Sequence, residues 1–227
     1  ETDTFSCDDF ALHKDIPDQI RANEDAPLNS DRDAALWLVE QAKLTLEEEW
    51  ASTYFATGVW ANEEEGGGGN DFVFWDDAAF GVPIVDLDRG KRAMLATTGH
   101  LPNKLTLGYD AFVALKNAPD IREYIKYTSQ ESVTPQILAR LFDIPEVLVC
   151  KAVHATNAEL SSEVADSAAN YGFIQGKHAL LSYSPPQASL LQPSAGYTFM
   201  WRGVSYGLGT TVGIQTFRMQ HLRSDRA

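Results

Sequence analysis

Apolar residues recur at helical spacing in the first third of the chain, which predicts one long helix over residues 30–57. The apolar positions lie three, four or seven residues apart, so they share one face of a helix. Ser30 and Asp33 are spaced like a capping box at its start, and Gly58 ends the pattern. The predicted core face of this helix consists of Leu36, Val39, Leu46 and Trp50.

Four shorter helices are predicted from proline and glycine signals. The segment 80–99 has Pro83 near its start and Gly99 as its stop. Asp110 is predicted to cap the next helix, Pro119 starts another, and Thr134 with Pro135 starts the last. Their predicted buried positions are Ile121, Tyr124 and Ile125, followed by Ile137, Leu138, Leu141 and Phe142.

Short runs of β-forming residues alternate with these helices and complete an α+β pattern without internal repeats. The run 146–156 is apolar on both faces and is therefore predicted to be a central strand. Residues 157–172 are small and polar, which predicts a loop. The other predicted strands cover residues 104–108, 178–184, 196–201 and 210–222.

Composition excludes several functions. The formal net charge of −14 repels phosphate backbones and anionic lipid, so a nucleic-acid reader is not expected. No apolar run approaches the length of a membrane span. Two cysteines, Cys7 and Cys150, are too few for a disulfide framework and fit a reducing cytoplasm. The chain opens on Glu1 without a signal segment, which we interpret as a processed or trimmed end.

The segment 61–75, ANEEEGGGGNDFVFW, could serve four purposes. A phosphate loop needs a lysine and a hydroxyl residue after the glycines, but Asn70 and Asp71 follow them. A calcium loop needs alternating acidic ligands, and Glu63–Glu65 are adjacent. A flexible linker remains open. Because β-forming residues flank both sides, a long hairpin with a glycine tip is favoured.

Catalytic chemistry is nearly absent from the sequence. Cys150 and His154 lie four residues apart in one predicted strand, so a thiol–imidazole pair of a hydrolase is one alternative. The strand is apolar throughout, which favours a buried cysteine. No catalytic, cofactor-binding or metal-binding residue is predicted, and the protein is expected not to be an enzyme.

Several segments in order resemble the major capsid proteins of tailed bacteriophages. These segments are residues 13–34, 57–60, 109–156 and 176–201. The resemblance implies the Hong Kong 97-type capsid fold, in which an extended hairpin called the E-loop contacts a neighbouring subunit. Some relatives crosslink this loop through a lysine, but no lysine lies between Lys43 and Lys91. An encapsulin compartment is the alternative with the same fold.

The resemblance assigns a part of the chain to each region of that fold. It implies an N-terminal arm at 1–29, a spine helix at 30–60, the E-loop at 61–75, the rest of the peripheral domain at 76–102, an axial domain at 103–205 and a return strand at 206–227, with both ends expected to be incomplete. The implied E-loop contacts are Trp60, Glu63, Glu64, Glu65, Gly66, Gly67, Gly68, Gly69, Asn70 and Asp71. Arg21, Arg32 and Lys43 are the candidate cations that meet them from a neighbour.

The implied function is a shell of hexamers and pentamers around a double-stranded DNA genome. The implied partners are other copies of the chain, together with portal, scaffolding and decoration proteins, and no membrane is involved. Such a shell is assembled in the host bacterial cytoplasm and becomes the virion capsid.

Overall fold

The structure is a computed structural model that describes residues 6, 10–25, 27–67, 72–77, 79–126, 133–156, 171–187, 189, 191–199 and 213–227. Helices and strands are mixed along the chain, so the predicted α+β class is confirmed. The chain divides into two compact units, one formed by residues 1–48 with 198–227 and the other by residues 49–197.

The first unit holds the two ends of the described chain. Its elements are β1 (Asp15–Pro17), α1 (Asp18–Ala22), most of α2 (Ser30–Tyr54), β7 (Phe217–Met219) and β8 (Ser224–Arg226). The three strands form an antiparallel sheet in the order β1-β8-β7. Backbone bonds between Lys14 and Ala227 extend the pairing of β1 with β8.

The second unit contains the end of α2 and all remaining elements. These elements are α3 (Pro83–Thr98), β2 (Lys104–Gly108), α4 (Tyr109–Asn117), α5 (Pro119–Lys126), α6 (Pro135–Phe142), β3 (Glu146–Cys150), β4 (Val153–Ala155), β5 (Tyr171–Phe173) and β6 (Ala179–Ser182). A mixed sheet has the order β3-β2-β6, and a smaller antiparallel pair joins β4 to β5.

Helix α2 exists as predicted, but its start is capped by a different residue. The Asn29 side-chain oxygen accepts a hydrogen bond from the Arg32 backbone N–H at 2.8 Å, which is the geometry of an N-cap. The predicted capping box at Ser30 is therefore wrong. The helix ends at Tyr54, before Gly58.

The buried face of α2 differs from the predicted one. Ala34, Leu38 and Ala51 are buried, whereas Leu36 is 62% exposed and Leu46 is also exposed. Val39 and Trp50 are half-buried. The placement of Leu36 and Leu46 on a core face is therefore wrong for the single chain. Apolar residues occur all round this helix, so their spacing does not single out one stripe.

Strand β2 is the centre of the main sheet and carries the core. It pairs in parallel with β3 and antiparallel with β6. Leu105 and Leu107 are completely buried, while Leu148 of β3 is exposed. The prediction of one central strand over 146–156 is wrong, because the run divides between β3 at the edge of this sheet and β4 in the other sheet.

Three short helices, α4, α5 and α6, share one core with the main sheet, and two of them begin at the predicted prolines. Pro119 and Pro135 begin α5 and α6, and the Thr134 hydroxyl accepts a bond from the Ile137 N–H at 3.4 Å. Gly108, rather than Asp110, is the N-cap of α4. The buried residues of these helices include Leu115, Ile121, Ile125, Leu138 and Phe142, whereas Tyr124 is exposed instead of buried as predicted.

The remaining strand predictions have mixed outcomes. Strand β6 confirms the run 178–184, and β5 lies where a loop was predicted. Residues 196–199 form no strand, and within the described residues 213–222 of the run 210–222 the strand pairing is confined to Phe217–Met219. Strand β8 was not predicted. Residues 157–170 of the predicted loop 157–172, and residues 200–212, lie outside the described residues.

Candidate assembly loop

The connection between α2 and α3, residues 55–82, contains the glycine-rich segment and is called the α2–α3 loop. The first residues of this loop pack against aromatic side chains at the end of α2. The Trp60 ring stacks on Tyr54 with centroids 5.9 Å apart, and the Trp60 indole N–H donates to the Tyr54 carbonyl at 2.7 Å. Trp50 contacts both Tyr54 and Phe55. The first residues of the loop are therefore fixed to the helix that precedes them.

Glu63 closes the first turn of the loop. Its carboxylate accepts hydrogen bonds from the backbone N–H groups of Gly58 and Trp60 at 2.8–2.9 Å. The Gly58 N–H has the largest effect and the Trp60 N–H the next largest. Both lower the pKa of Glu63 because they stabilise the charged carboxylate. Glu63 therefore caps its own loop and already has partners within the single chain.

Glu64 forms an ion pair with Arg89 of α3. The guanidinium donates from Nε to Oε1 at 3.0 Å and from its terminal nitrogen to Oε2 at 2.6 Å. Two parallel bonds of this kind fix orientation as well as distance. Sequence reasoning missed Arg89, because 25 residues separate it from Glu64 and no local pattern links them.

Asp86 is the buried member of the same charge group. Its carboxylate accepts from the Trp75 indole N–H at 3.1 Å and lies 3.5 Å from the Arg89 guanidinium. Asp86 is only 8% exposed, and burial raises its pKa even though Trp75 and Arg89 favour the charged form. Both sides of the glycine run are thus attached to α3, through Glu64 before it and Trp75 after it.

The glycine run itself is described only at its edges. Gly66 and Phe72 form a parallel bridge, and the Gly67 N–H donates to the Phe72 carbonyl at 2.8 Å. A Cβ at Gly66 would lie 2.9 Å from the Phe74 ring. Residues 57–67 and 72–77 contain no strand, so the predicted β-arms of a long hairpin are absent there. Residues 68–71 lie outside the described part.

The loop ends in a tight turn before α3. The Asp77 carboxylate accepts from the N–H groups of Ala79 and Phe80 at 2.8 and 3.1 Å. Gly81 approaches the Asp77 carbonyl so closely that a Cβ would lie 2.8 Å from it. Pro83 then begins α3, as predicted. The described parts of the loop, residues 55–67, 72–77 and 79–82, are consequently folded back against the single chain.

The three candidate cations lie in the first unit. Arg21 pairs with Asp31 and Asp225, and Arg32 lies 3.5 Å from Asp33. Lys43 is exposed on α2. A contact between these cations and the glutamates of a neighbouring copy stays a prediction.

Arginine–aspartate pairs connect the two ends of the described chain. Arg218 bridges Asp18 and Asp225, while Arg226 binds Asp15 through two bonds at 2.6 and 2.7 Å. The arginine hydrogen bonds lower the pKa of each of these aspartates. This group, called the terminal cluster, consists of Asp15, Asp18, Arg21, Asp31, Arg218, Asp225 and Arg226.

Acid should loosen the terminal sheet. Carboxylates with a lowered folded pKa stabilise the sheet above their ordinary pKa of 3.8, and that stabilisation is lost as pH falls through the folded values. We expect amide protection of 14–17 and 217–227, corrected for intrinsic exchange, to fall below about pH 4.

Arg218→Gln is the matched variant for this measurement. It should reduce protection near neutral pH and converge with the wild type in acid, since protonated aspartates no longer attract the arginine. A wild-type sheet whose protection is unchanged by acid would contradict the assignment.

The alternative thiol–imidazole pair assumed that Cys150 and His154 lie in one strand, and they do not. Cys150 ends β3 and His154 lies in β4, and these strands belong to different sheets, so the two residues do not share a strand face. Among the described residues, no cluster of three or more His, Cys, Asp or Glu side chains could hold a metal ion. No helix in the described ranges has the length and apolar character needed to cross a membrane.

Comparison with known proteins points to bacteriophages. No family model matches the chain. Over 131 residues, the chain is 29% identical to the major capsid protein of Burkholderia phage BcepMu, a match that covers 56% of this chain and 39% of that protein. A solved phage-related protein from Bordetella bronchiseptica RB50 matches 95% of this chain and 67% of its own, with a TM-score of 0.70 and 25% identity.

The two comparisons differ in what they support. The match to the solved protein extends over nearly the whole chain and concerns its α+β fold. The match to the capsid protein is a sequence similarity, and it spans well under half of that protein's length.

Proposed function

We propose that the chain is a major capsid protein of a tailed bacteriophage, with the Hong Kong 97-type fold. The observation that carries the proposal is the sequence similarity to the BcepMu major capsid protein. The structural match to a phage-related protein supports it independently. The subunit assembles into hexamers and pentamers that enclose double-stranded DNA, and it has a structural role and no catalytic one.

The regions of the fold follow chain order. Helix α2 is the spine helix, the α2–α3 loop is the E-loop, and the sheet β3-β2-β6 with α4–α6 belongs to the axial domain. In this proposal the E-loop leaves its own subunit on assembly and extends over a neighbour, where Arg21, Arg32 and Lys43 are candidate partners. The order of long helix, glycine-rich loop, second helix and mixed sheet supports this assignment.

Exposed apolar side chains support a subunit that buries more surface on assembly. Four large apolar side chains just before and at the start of α3 are exposed in the single chain, as are Leu36, Trp37 and Leu46 of α2. Large apolar patches on a folded chain often mark interaction surfaces. The exposed residues of the first group are Phe74, Phe80, Val82 and Val85.

Charge is consistent with a shell that contains DNA. A net charge of −14 prevents the inner wall from binding the genome tightly. Weak contacts suffice in a closed shell, since each contact recurs in every subunit.

Portal, scaffolding and decoration proteins are further proposed partners, with assembly in the host cytoplasm.

Electron microscopy of the purified chain tests the proposal. We expect shells or capsomers from the wild type, and deletion of Glu64–Gly69 should leave a folded chain, judged by circular dichroism, that no longer assembles. The deletion removes two negative charges. The double substitution of Asp120→Asn with Glu123→Gln removes two negative charges from α5 instead, and this variant should assemble normally. A wild type that stays monomeric at high concentration would refute the proposal, and shells with protein cargo would indicate an encapsulin.

A further inference from the structure

The contacts of the α2–α3 loop divide into a buried half and an accessible half. In the buried half, Trp75 donates to Asp86, whose side chain is 7% exposed. In the accessible half, Glu64 and Arg89 form the bidentate pair with side chains that are 34% and 44% exposed. The Arg89 guanidinium lies between the carboxylates of Glu64 and Asp86 and therefore links the halves.

We infer that Glu64, Arg89, Asp86 and Trp75 form a latch that retains the α2–α3 loop on α3 of its own subunit until a second copy of the chain displaces it. The inference rests on the proposed function, because that function supplies the neighbouring subunit onto which the displaced loop moves. The latch makes the free subunit slow to assemble, since the loop must leave one site before it occupies another.

The geometry determines which bond opens first. The Glu64–Arg89 pair is accessible to water and to charged groups of a neighbour, so its release costs little. Asp86 is buried and keeps its contact with the Trp75 indole, so the second half of the loop stays attached at that stage. Release therefore begins at Glu64, on the side that precedes the glycines.

A purely structural ion pair would behave differently from a latch. If the pair only stabilised the subunit, its removal would slow assembly or leave it unchanged. If it retains the loop, its removal should free the loop and speed assembly. The two effects have opposite signs, so one pair of measurements separates them.

Hydrogen exchange and light scattering of the full chain provide these measurements. Glu64→Gln and Arg89→Gln should each make amides in 57–67 exchange about two- to fivefold faster in the unassembled chain, the range expected for one accessible ion pair. The same variants should assemble faster by a similar factor. Arg89→Lys, which keeps the charge and loses the fork, should be intermediate.

Glu123→Gln and Arg122→Gln on α5 are the matched controls and should exchange and assemble like the wild type. Unchanged loop exchange in both latch variants would overturn the latch, and faster exchange with slower or unchanged assembly would overturn its retaining role. If the wild type forms no shells, the proposed function fails, while the exchange measurement still decides whether the latch exists.

Discussion

Replacement of Gly108 by alanine should prevent the second unit from folding. A Cβ at this position would lie 2.0 Å from the Gly176 carbonyl oxygen and 2.9 Å from that of Gln175. Both are backbone atoms, which cannot turn aside as the end of a side chain can. Gly108 also ends β2, donates its N–H to the His178 carbonyl at 2.9 Å and caps α4. The collision therefore affects the strand, the helix and the 175–178 turn together.

Gly99→Ala is the informative control. Gly99 has a φ of 74° and open space around its Cβ position, so its substitution causes backbone strain without a collision. We expect a loss of about 1 kcal/mol in the free energy of unfolding for Gly99→Ala. Gly108 has an ordinary φ of −66°, so its effect arises from the collision alone. Thermal melting by circular dichroism measures both, and a Gly108→Ala chain that melts like the wild type would contradict this packing.

Leu105→Ala should lower the free energy of unfolding by about 2–5 kcal/mol. Leu105 is completely buried in the central strand, between Val147 of β3 and Leu181 of β6. Its truncation removes apolar contacts and leaves a cavity that the two neighbouring strands cannot fill. Urea denaturation of the unassembled chain gives the value.

Leu148→Ala in the adjacent strand is the matched control for Leu105→Ala. Leu148 is 41% exposed and lies opposite Thr106, so the same chemical change should cost less than about 1 kcal/mol. Equal losses for the two variants would show that β2 is not the centre of the core.

Local signals predicted the helices well. Pro83, Pro119 and Pro135 each begin a helix, and Gly99 ends one, because these residues act on the backbone next to them. The same kind of reasoning favoured a hairpin with β-arms around the glycine run, and residues 57–67 and 72–77 contain no such strands. It failed for Leu36, since which side of a helix is buried depends on what packs against it.

Contacts between distant segments could not be predicted in this way. The run 146–156 is apolar enough for a central strand, yet its position depends on how β2 and β6 pair, which no local spacing encodes. No sequence motif indicates that Glu64 pairs with Arg89, and none indicates the ion pairs of the terminal cluster. Arg226 and Asp15 are 211 residues apart in sequence. The fold class was therefore accessible from sequence, but the charge pairs of the candidate site were not.

The pairing of β1 with β8 also determines the order in which the chain can fold during synthesis. The core of the second unit lies within residues 87–144, so its helices and strand β2 can associate while the ribosome is still translating. Strand β1 emerges before the other described elements, but it cannot pair until residues 224–226 have been synthesised. The sheet of the first unit is therefore completed after the core of the second unit, and until then the unpaired β1 segment is a site where a chaperone or a second nascent chain can bind.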